Sequence, residues 1–291
     1  MSYEEFPVFV PMGDDHLLGI VCAPEKSETD LGVVLLTGGN YTRSHRNRMW
    51  VTAARALAEA GFPSIRIDYH GVGDSTGRAR FDMEEPFAED AVAAADFLVQ
   101  ATGVSRLAFL ATCFGGRTAM AAAARHEKGV MATIFPVPLF VPRNRTQVPL
   151  RTKVKVRIRR WGWGKRLFSR PKIRRMRNAA AARRSTPETM VSPRFKRELT
   201  DFVRRGDVWF VYGDQSYSLD DLNQLLGETK SHLSADEQAR IHVKILPNCA
   251  PEHLRSIANQ ELIVQCAIAS VTGELDSIQI DDGTVGAGAT G

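Results

Sequence analysis

Residues 106–120, RLAFLATCFGGRTAM, constrain the fold more than any other stretch of this chain. An apolar strand runs straight into a helix through Ala111-Thr112-Cys113-Phe114-Gly115-Gly116. Small residues at Ala111 and Gly115 suit such a sharp turn, because a larger side chain would collide with the neighbouring strand or helix. The stretch therefore predicts a buried strand, a tight turn and a helix in direct succession.

Strands and helices alternate along most of the chain. This alternation predicts an α/β fold with a mostly parallel eight-stranded sheet and helices on both faces. The predicted strands cover residues 6–10, 17–22, 32–37, 64–68, 106–111, 130–135, 208–212 and 243–246. The predicted helices cover residues 46–60, 86–100, 115–125, 196–205 and 254–271.

One region interrupts this alternation and carries most of the positive charge. From Arg143 to Arg184 there are 17 Lys and Arg residues and no Asp or Glu, which leaves 21 basic and 33 acidic residues elsewhere. We interpret residues 141–195 as a basic helical cap inserted above the carboxyl ends of the strands, where such folds bind ligands. The core would then comprise residues 1–140 and 196–272, followed by a flexible acidic tail over residues 273–291.

The basic cap indicates a local anionic partner. Uniform basicity would have suggested a nucleic-acid binder, but the rest of this chain is acidic, and no nucleic acid is expected as a partner. Three interpretations of the cap stay open. The cap would be either a solvated lid over the active site or a helix that associates weakly with an anionic membrane surface. The third interpretation is a docking site for an acidic acyl carrier protein or for CoA.

Composition excludes several classes of protein. Hydrophobic residues make up 44 % and charged residues 24 % of the chain, which is not typical of disordered, collagen-like or disulfide-scaffold proteins. The longest nearly apolar run, residues 129–141, is short and contains two prolines, so no membrane span is expected. The four cysteines form no C-x-x-C pair, and neither a metal site nor a cofactor is predicted. We expect a soluble cytoplasmic protein with no signal peptide.

The sharp turn has the small-x-nucleophile-x-Gly pattern of a nucleophile elbow, with Cys113 as the nucleophile. The start of a helix favours the reactive thiolate, because the helix dipole and free N–H groups stabilise negative charge there. The alternative is that Cys113 is a small buried hydrophobic residue. We predict that the N–H groups of Phe114 and Gly39 form an oxyanion hole.

A general base and an acid are expected after the nucleophile in chain order. His253, in the loop between the last strand and the last helix, is the one histidine of seven in a suitable place for the base. Asp214 follows the strand over 208–212 and is the predicted acid. Asp220, Asp221 or no acid at all are alternatives, since a thiolate depends less on a third group than a serine does.

At these residues the chain resembles the α/β-hydrolase superfamily. The stretch DYHGVGDS, residues 68–75, is similar to the D-x-R-G-x-G-x-S stretch common after the fourth strand of that superfamily, with His70 in the Arg place. The resemblance covers residues 30–140 and 205–272. The cysteine at the elbow and the Arg-rich cap look most like the exosortase-system-associated hydrolase 1 group. Dienelactone hydrolases and cysteine-dependent cyclases and thioesterases are similar at the nucleophile only.

These features together predict an acyl-transfer enzyme. Cys113 would attack an ester or, more favourably, a thioester carried by CoA or an acyl carrier protein, with His253 as general base. The acyl-enzyme would pass to water, as in an esterase or thioesterase, or to a second nucleophile, as in an acyltransferase. Two alternatives stay open. One is a cysteine-dependent cyclase of a biosynthetic pathway, and the other is a catalytically weak binding protein that docks an acidic carrier or an acyl ligand.

Overall fold

The computed structural model describes residues 2–27, 29–38, 41–79, 81–82, 84, 86–142, 189–251 and 256–278. Its main feature is an eight-stranded sheet with helices on both faces, which confirms the predicted α/β fold. The strands of this sheet are β1 (Tyr3–Met12), β2 (Asp15–Pro24), β3 (Leu31–Leu36), β4 (Ser64–Ile67), β5 (Arg106–Ala111), β6 (Gly129–Ile134), β9 (Asp207–Gly213) and β10 (Ile241–Leu246). A separate two-stranded sheet consists of β7 (Phe140–Pro142) and β8 (Thr189–Val191).

The described α-helices are α1 (Met49–Glu59), α2 (Ala88–Thr102), α3 (Gly115–Arg125), α4 (Pro193–Phe202), α5 (Leu219–Lys230), α6 (Ala235–Ala239) and α7 (Ile257–Thr272). Short 3₁₀ turns cover Arg46–Arg48 and Leu275–Ser277. None of these described helices is long and apolar enough to cross a lipid bilayer.

The strand order of the large sheet is β1-β2-β4-β3-β5-β6-β9-β10. The first two strands form an antiparallel hairpin, β2 is antiparallel to β4, and every other neighbouring pair is parallel. The carboxyl ends of β3, β5, β6, β9 and β10 therefore meet at one edge of the sheet. In open α/β sheets, ligands bind just outside that edge.

The central strands are buried on both faces. In β3, the side chains of Val34 and Leu36 belong to a hydrophobic cluster with α2, α3 and α4, whereas those of Val33 and Leu35 belong to a second cluster with α1 and α7. A strand covered on both faces needs a continuous apolar sequence, and β3 has one. This packing fixes the ends of β3 and β5, from which the loops of the candidate site leave.

The predicted cap lies almost entirely outside the described residues, but its two ends are described. Pro142 at the end of β7 is opposite Thr189 at the start of β8. Residues 143–188 thus begin and end at one place on the core. The helix that follows, α4, begins three residues before the predicted start, because the Ser192 hydroxyl caps it by accepting from the Phe195 N–H at 3.1 Å.

A buried ion pair ties the described residues at both ends of the predicted cap to α3. The Arg117 guanidinium, which is 2 % exposed, donates to the carbonyls of Pro138 and Leu139 at 2.7 and 3.0 Å. It also donates to the Glu84 carboxylate at 3.0 Å, and that carboxylate accepts from the Ser192 hydroxyl at 2.5 Å. The helix that follows Cys113 therefore supports the base of the insertion directly.

Candidate active site

The candidate nucleophile, Cys113, lies in the turn between β5 and α3. Its backbone has a φ of 53°, a left-handed conformation that residues other than glycine rarely adopt. Two hydrogen bonds hold it there, from the Cys113 N–H to the Pro136 carbonyl at 3.1 Å and from the Gly116 N–H to the Cys113 carbonyl at 3.0 Å. Such a conformation costs roughly 1–3 kcal/mol and is typical of functional sites. Its result here is an exposed Cys113 side chain.

The two glycines after Phe114 make this turn possible. A Cβ atom at Gly115 would lie 2.5 Å from the Thr37 carbonyl oxygen, and one at Gly116 would lie 2.8 Å from Cγ2 of Ile134. Both distances are shorter than any ordinary contact of a Cβ atom. The helix can start this close to β3 and β6 only because these positions lack side chains, which gives the physical reason for the small residues in the sequence pattern.

The end of β3 lies directly beside Cys113. An ideal Cβ at Gly38 would be 3.3 Å from the Cys113 Cβ and 3.7 Å from its Sγ. Among the residues that the structure describes, none accepts a hydrogen bond from the Phe114 N–H at the start of α3. The second predicted oxyanion donor, Gly39, lies outside the described residues. A reacting carbonyl at Cys113 would thus meet the Phe114 N–H on one side and the glycine turn after β3 on the other.

The predicted acid, Asp214, directly follows β9. Its Oδ1 accepts from the Cys249 N–H at 3.3 Å, and the Gln215 N–H donates to the Cys249 carbonyl at 3.1 Å. A Cβ at Gly213 would overlap that same carbonyl, so the end of β9 packs tightly on the loop after β10. Asp214 is therefore fixed beside the loop that continues to His253. His253 itself lies outside the described residues.

The alternative acids lie elsewhere. Asp220 and Asp221 occupy the first turn of α5, Asp220 exposed and Asp221 half-buried. Carboxylates in the first turn of a helix are stabilised by its dipole, and a catalytic role for either residue stays an alternative prediction. The Asp214 carboxylate contacts the loop before His253, and its role as the acid stays a prediction.

The four cysteines, all in the described part of the chain, have two kinds of surroundings. Cys22, Cys249 and Cys266 are buried, whereas Cys113 is exposed. Burial raises the pKa of the Cys22 thiol to about 11 and that of the Cys266 thiol to about 12. These two thiols therefore stay protonated near neutral pH. A cysteine nucleophile, in contrast, reacts as the ionised thiolate.

A histidine that the sequence analysis does not select lies next to the nucleophile turn. The His45 Nε2 is 3.0 Å from the Thr112 Oγ1, and its Nδ1 accepts from the Arg46 N–H at 2.8 Å. Burial, with a smaller contribution from the Arg46 charge, lowers the pKa of His45 to about 4. His45 is therefore neutral at pH 7 and donates from Nε2 to Thr112. No local pattern marks this contact, since it joins residues far apart in the sequence.

The stretch over residues 68–75 has a structural role beside the site. The buried Asp68 carboxylate pairs with the Arg43 guanidinium and accepts from the Asp74 N–H at 3.1 Å, and the Ser75 hydroxyl donates to the Asp68 carbonyl at 2.7 Å. His70 donates its N–H to Asp90 at 2.7 Å. These contacts fasten the loop after β4 to the segment before α1. Within the described ranges, no three His, Cys, Asp or Glu side chains converge as metal ligands.

Comparison with known families agrees with this architecture. The model of the alpha/beta hydrolase fold family matches residues 32–194, more than half of the chain. The chain belongs to this family. Comparison with curated proteins gives no match.

Several solved structures resemble this α/β-hydrolase. The Pyrococcus furiosus esterase Pf2001 aligns with a TM-score of 0.59 and 10 % identity over 93 % of this chain and 91 % of that one. A dienelactone hydrolase from Anabaena variabilis gives a TM-score of 0.58 and 16 % identity over 93 % and 98 % of the two chains. The thioesterase domain from the curacin biosynthetic pathway gives 0.55 and 16 % over 94 % and 99 %. At these identities the similarity shows the fold.

Proposed function

We propose that this α/β-hydrolase is an acyl-transfer enzyme that forms an acyl-enzyme on Cys113. The observation that carries the proposal is the geometry of Cys113, an exposed thiol on a left-handed residue between a buried strand and a helix. The other three cysteines are buried, so this thiol is singled out by its position. The fold family and the esterase and thioesterase among the similar structures support acyl chemistry.

The reaction has two steps. The Cys113 thiol gives its proton to His253, and the thiolate sulfur bonds to the carbonyl carbon of an ester or thioester, whose electron pair moves onto the carbonyl oxygen. The N–H groups of Phe114 and Gly39 stabilise this oxyanion. When the carbonyl re-forms, the bond to the leaving thiolate or alkoxide breaks, and the leaving group takes the proton from His253. Water or a second nucleophile then releases the acyl group and restores the thiol.

A thioester on CoA or on an acidic acyl carrier protein is the substrate that we favour. Exchange of one thioester for another is nearly isoenergetic, so an acyl group transfers readily onto Cys113. The run of 17 Lys and Arg residues between Arg143 and Arg184, which contains no acidic residue, supports an anionic carrier. On the same two features, the elbow cysteine and the Arg-rich segment, we propose a relationship to the exosortase-system-associated hydrolase 1 group, which the sequence resembles most. We propose the cytoplasm, where CoA and carrier thioesters occur, as its compartment.

Intact-mass measurement tests this function. The protein is mixed with acyl-CoA thioesters of short, medium and long chain, beside Cys113→Ala, Cys113→Ser and the matched buried-thiol control Cys266→Ala. We expect the wild type and Cys266→Ala to gain the mass of one acyl group and Cys113→Ala to gain none. An equal gain in Cys113→Ala would contradict the proposal. No gain and no turnover with any thioester would leave a binding protein on a hydrolase fold.

A further inference from the structure

The segment before α1, residues 41–48, has an unusually strained backbone. His45 has a φ of 58° and a ψ of −177°, a combination that is almost confined to glycine. Asn47 and Arg48 are also left-handed, with φ of 49° and 61°. A strained conformation of this kind persists only where surrounding contacts fix it. Three such residues within four positions direct attention to what the His45 side chain contacts.

The His45 ring is held on all sides. It stacks on Tyr41 at 4.7 Å between ring centroids and meets the edge of Trp50 at 5.7 Å. Its Nδ1 accepts from the Arg46 N–H, so the ring proton of the neutral form is on Nε2 and points at the Thr112 hydroxyl oxygen. Because Nε2 carries the ring proton and the Nδ1 lone pair accepts from the Arg46 N–H, the ring has no unengaged lone pair for a proton from Cys113. A role as general base is therefore excluded for His45.

These contacts join the two turns that build the candidate site. Thr112 directly precedes Cys113 in the nucleophile turn. On the other side, Tyr41 donates its N–H to the Gly38 carbonyl at 3.1 Å, and its own carbonyl accepts from the Thr37 hydroxyl at 3.0 Å. Tyr41 is thus bonded to Thr37 and Gly38, and Gly38 lies against Cys113. His45 stacks on Tyr41 and hydrogen-bonds to the nucleophile turn.

We propose that His45 is a positioning residue for acyl transfer at Cys113. As a neutral Nε2–H donor to Thr112, it sets the separation between the glycine turn after β3 and the nucleophile turn. This separation matters because an oxyanion donor works only within about 2.7–3.1 Å of the developing charge. The inference rests on the proposed function, since it assigns His45 to the same reaction.

Paired variants separate this role from simple packing. Thr112→Val keeps the shape of the side chain and removes the acceptor, whereas Thr112→Ser keeps the acceptor. His45→Asn removes the imidazole, and its shorter side chain cannot reach Thr112. Acylation by an acyl-CoA thioester and alkylation by iodoacetamide are timed on each folded variant. Alkylation displaces iodide at a saturated carbon and develops no oxyanion, so it reports the thiol without the oxyanion hole.

We expect Thr112→Val and His45→Asn to slow acylation about 10–100-fold, the loss that follows when reacting groups are displaced slightly. Alkylation should stay within about a factor of two of the wild type, because it makes no demand on the oxyanion donors. Thr112→Ser should restore acylation. In ¹⁵N-labelled wild-type protein, the His45 ring should show a protonated Nε2 and an unprotonated Nδ1 at pH 7.

Three results would overturn the proposal. The first is a Thr112→Val variant that acylates as fast as a wild type that forms the adduct. The second is a variant in which acylation and alkylation slow by the same factor. A His45 ring protonated on Nδ1 would also contradict it. A wild type that forms no adduct with any thioester would overturn the proposed function first, and the role of His45 in it as a consequence. The two failures are therefore told apart by the wild-type reaction alone.

Discussion

Cys113 and Cys266 carry the same thiol in two different parts of the molecule. Cys266 lies inside α7 with no exposed surface, and burial raises the pKa of its thiol to about 12. Cys113 lies in a strained turn at the carboxyl edge of the sheet, and its side chain is exposed. Backbone position, rather than residue type, therefore distinguishes the proposed nucleophile from the three buried cysteines.

The two regions also differ in what holds them. The interior around Cys266 is stabilised by burial of apolar surface, which tolerates modest changes of shape. The turn around Cys113 depends on two glycines, on backbone hydrogen bonds and on the buried contact between His45 and Thr112. Substitutions at these contacts should therefore alter the turn strongly while they leave the hydrophobic core intact.

The largest expected effect is on thiol alkylation. In the native protein at pH 7, iodoacetamide should label Cys113 at least roughly 10²–10³ times faster than Cys22 or Cys266, because thiols with raised pKa values hold little thiolate. Peptide mapping after a timed reaction measures this ratio. Cys113→Ala should remain unlabelled until denaturant is added. Native labelling of a buried cysteine at a rate comparable to that of Cys113 would contradict this difference in thiol reactivity.

Acid should lower the free energy of unfolding of the protein through protonation of His45. In the unfolded chain a histidine binds a proton below about pH 6.5, whereas the folded pKa is about 4, so the unfolded state binds more protons between these values. The contribution of the neutral His45 ring to the free energy of unfolding should therefore be complete above pH 6.5. It should fall by up to about 3 kcal/mol as the pH drops towards 4. Urea unfolding at several pH values measures the slope. His45→Gln should flatten it, and an unchanged slope would count against the buried neutral ring.

Two glycine variants compare the turn with an open helix surface. Gly115→Ala should lower the free energy of unfolding by about 1–3 kcal/mol, because its Cβ would lie 2.5 Å from the Thr37 carbonyl oxygen. Gly227→Ala, inside α5 with nothing within 4 Å of the added Cβ, should raise it by about 0.5–1 kcal/mol. Denaturant titration of both variants measures the difference. Equal effects would show that the turn is no more constrained than the helix.

A further effect is expected at alkaline pH from the buried thiols. In the unfolded chain Cys22 and Cys266 ionise near pH 8.5, but in the folded chain only near pH 11 and 12. Their contribution to stability is thus present below pH 8.5 and is lost as pH rises, by about 1 kcal/mol per thiol for each pH unit. Unfolding of the reduced protein at pH 8 and 10 measures the loss. Cys266→Ala should show a shallower decline than the wild type.

The sequence predicts most of the sheet and the nucleophile turn because their determinants are local. The bounds of β5 and α3 agree with the prediction, since an apolar run and two glycines specify both. The sequence analysis does not predict α5, α6 or the β7–β8 pair. The helix α5 buries few residues, α6 depends on a capping box between Ser234 and Glu237, and the β7–β8 pair joins segments far apart in the chain.

The candidate site is predicted less completely than the fold. The turn at Cys113 follows from neighbouring residues, but the contact of His45 with Thr112 and that of Asp214 with Cys249 follow from tertiary packing. A single sequence contains no periodic signal for either contact. His253 and Gly39 lie outside the described residues, and their roles as base and oxyanion donor stay predictions.

The most direct test of the central claim is to quench the first turnover of an acyl-CoA thioester at short times and to quantify by chromatography the free CoA thiol that is released. An acyl-enzyme on Cys113 should give a rapid burst of one thiol per chain, followed by slower steady release. Cys113→Ala should give no burst. Thiol release from Cys113→Ala with the same burst and rate as the wild type would contradict the account.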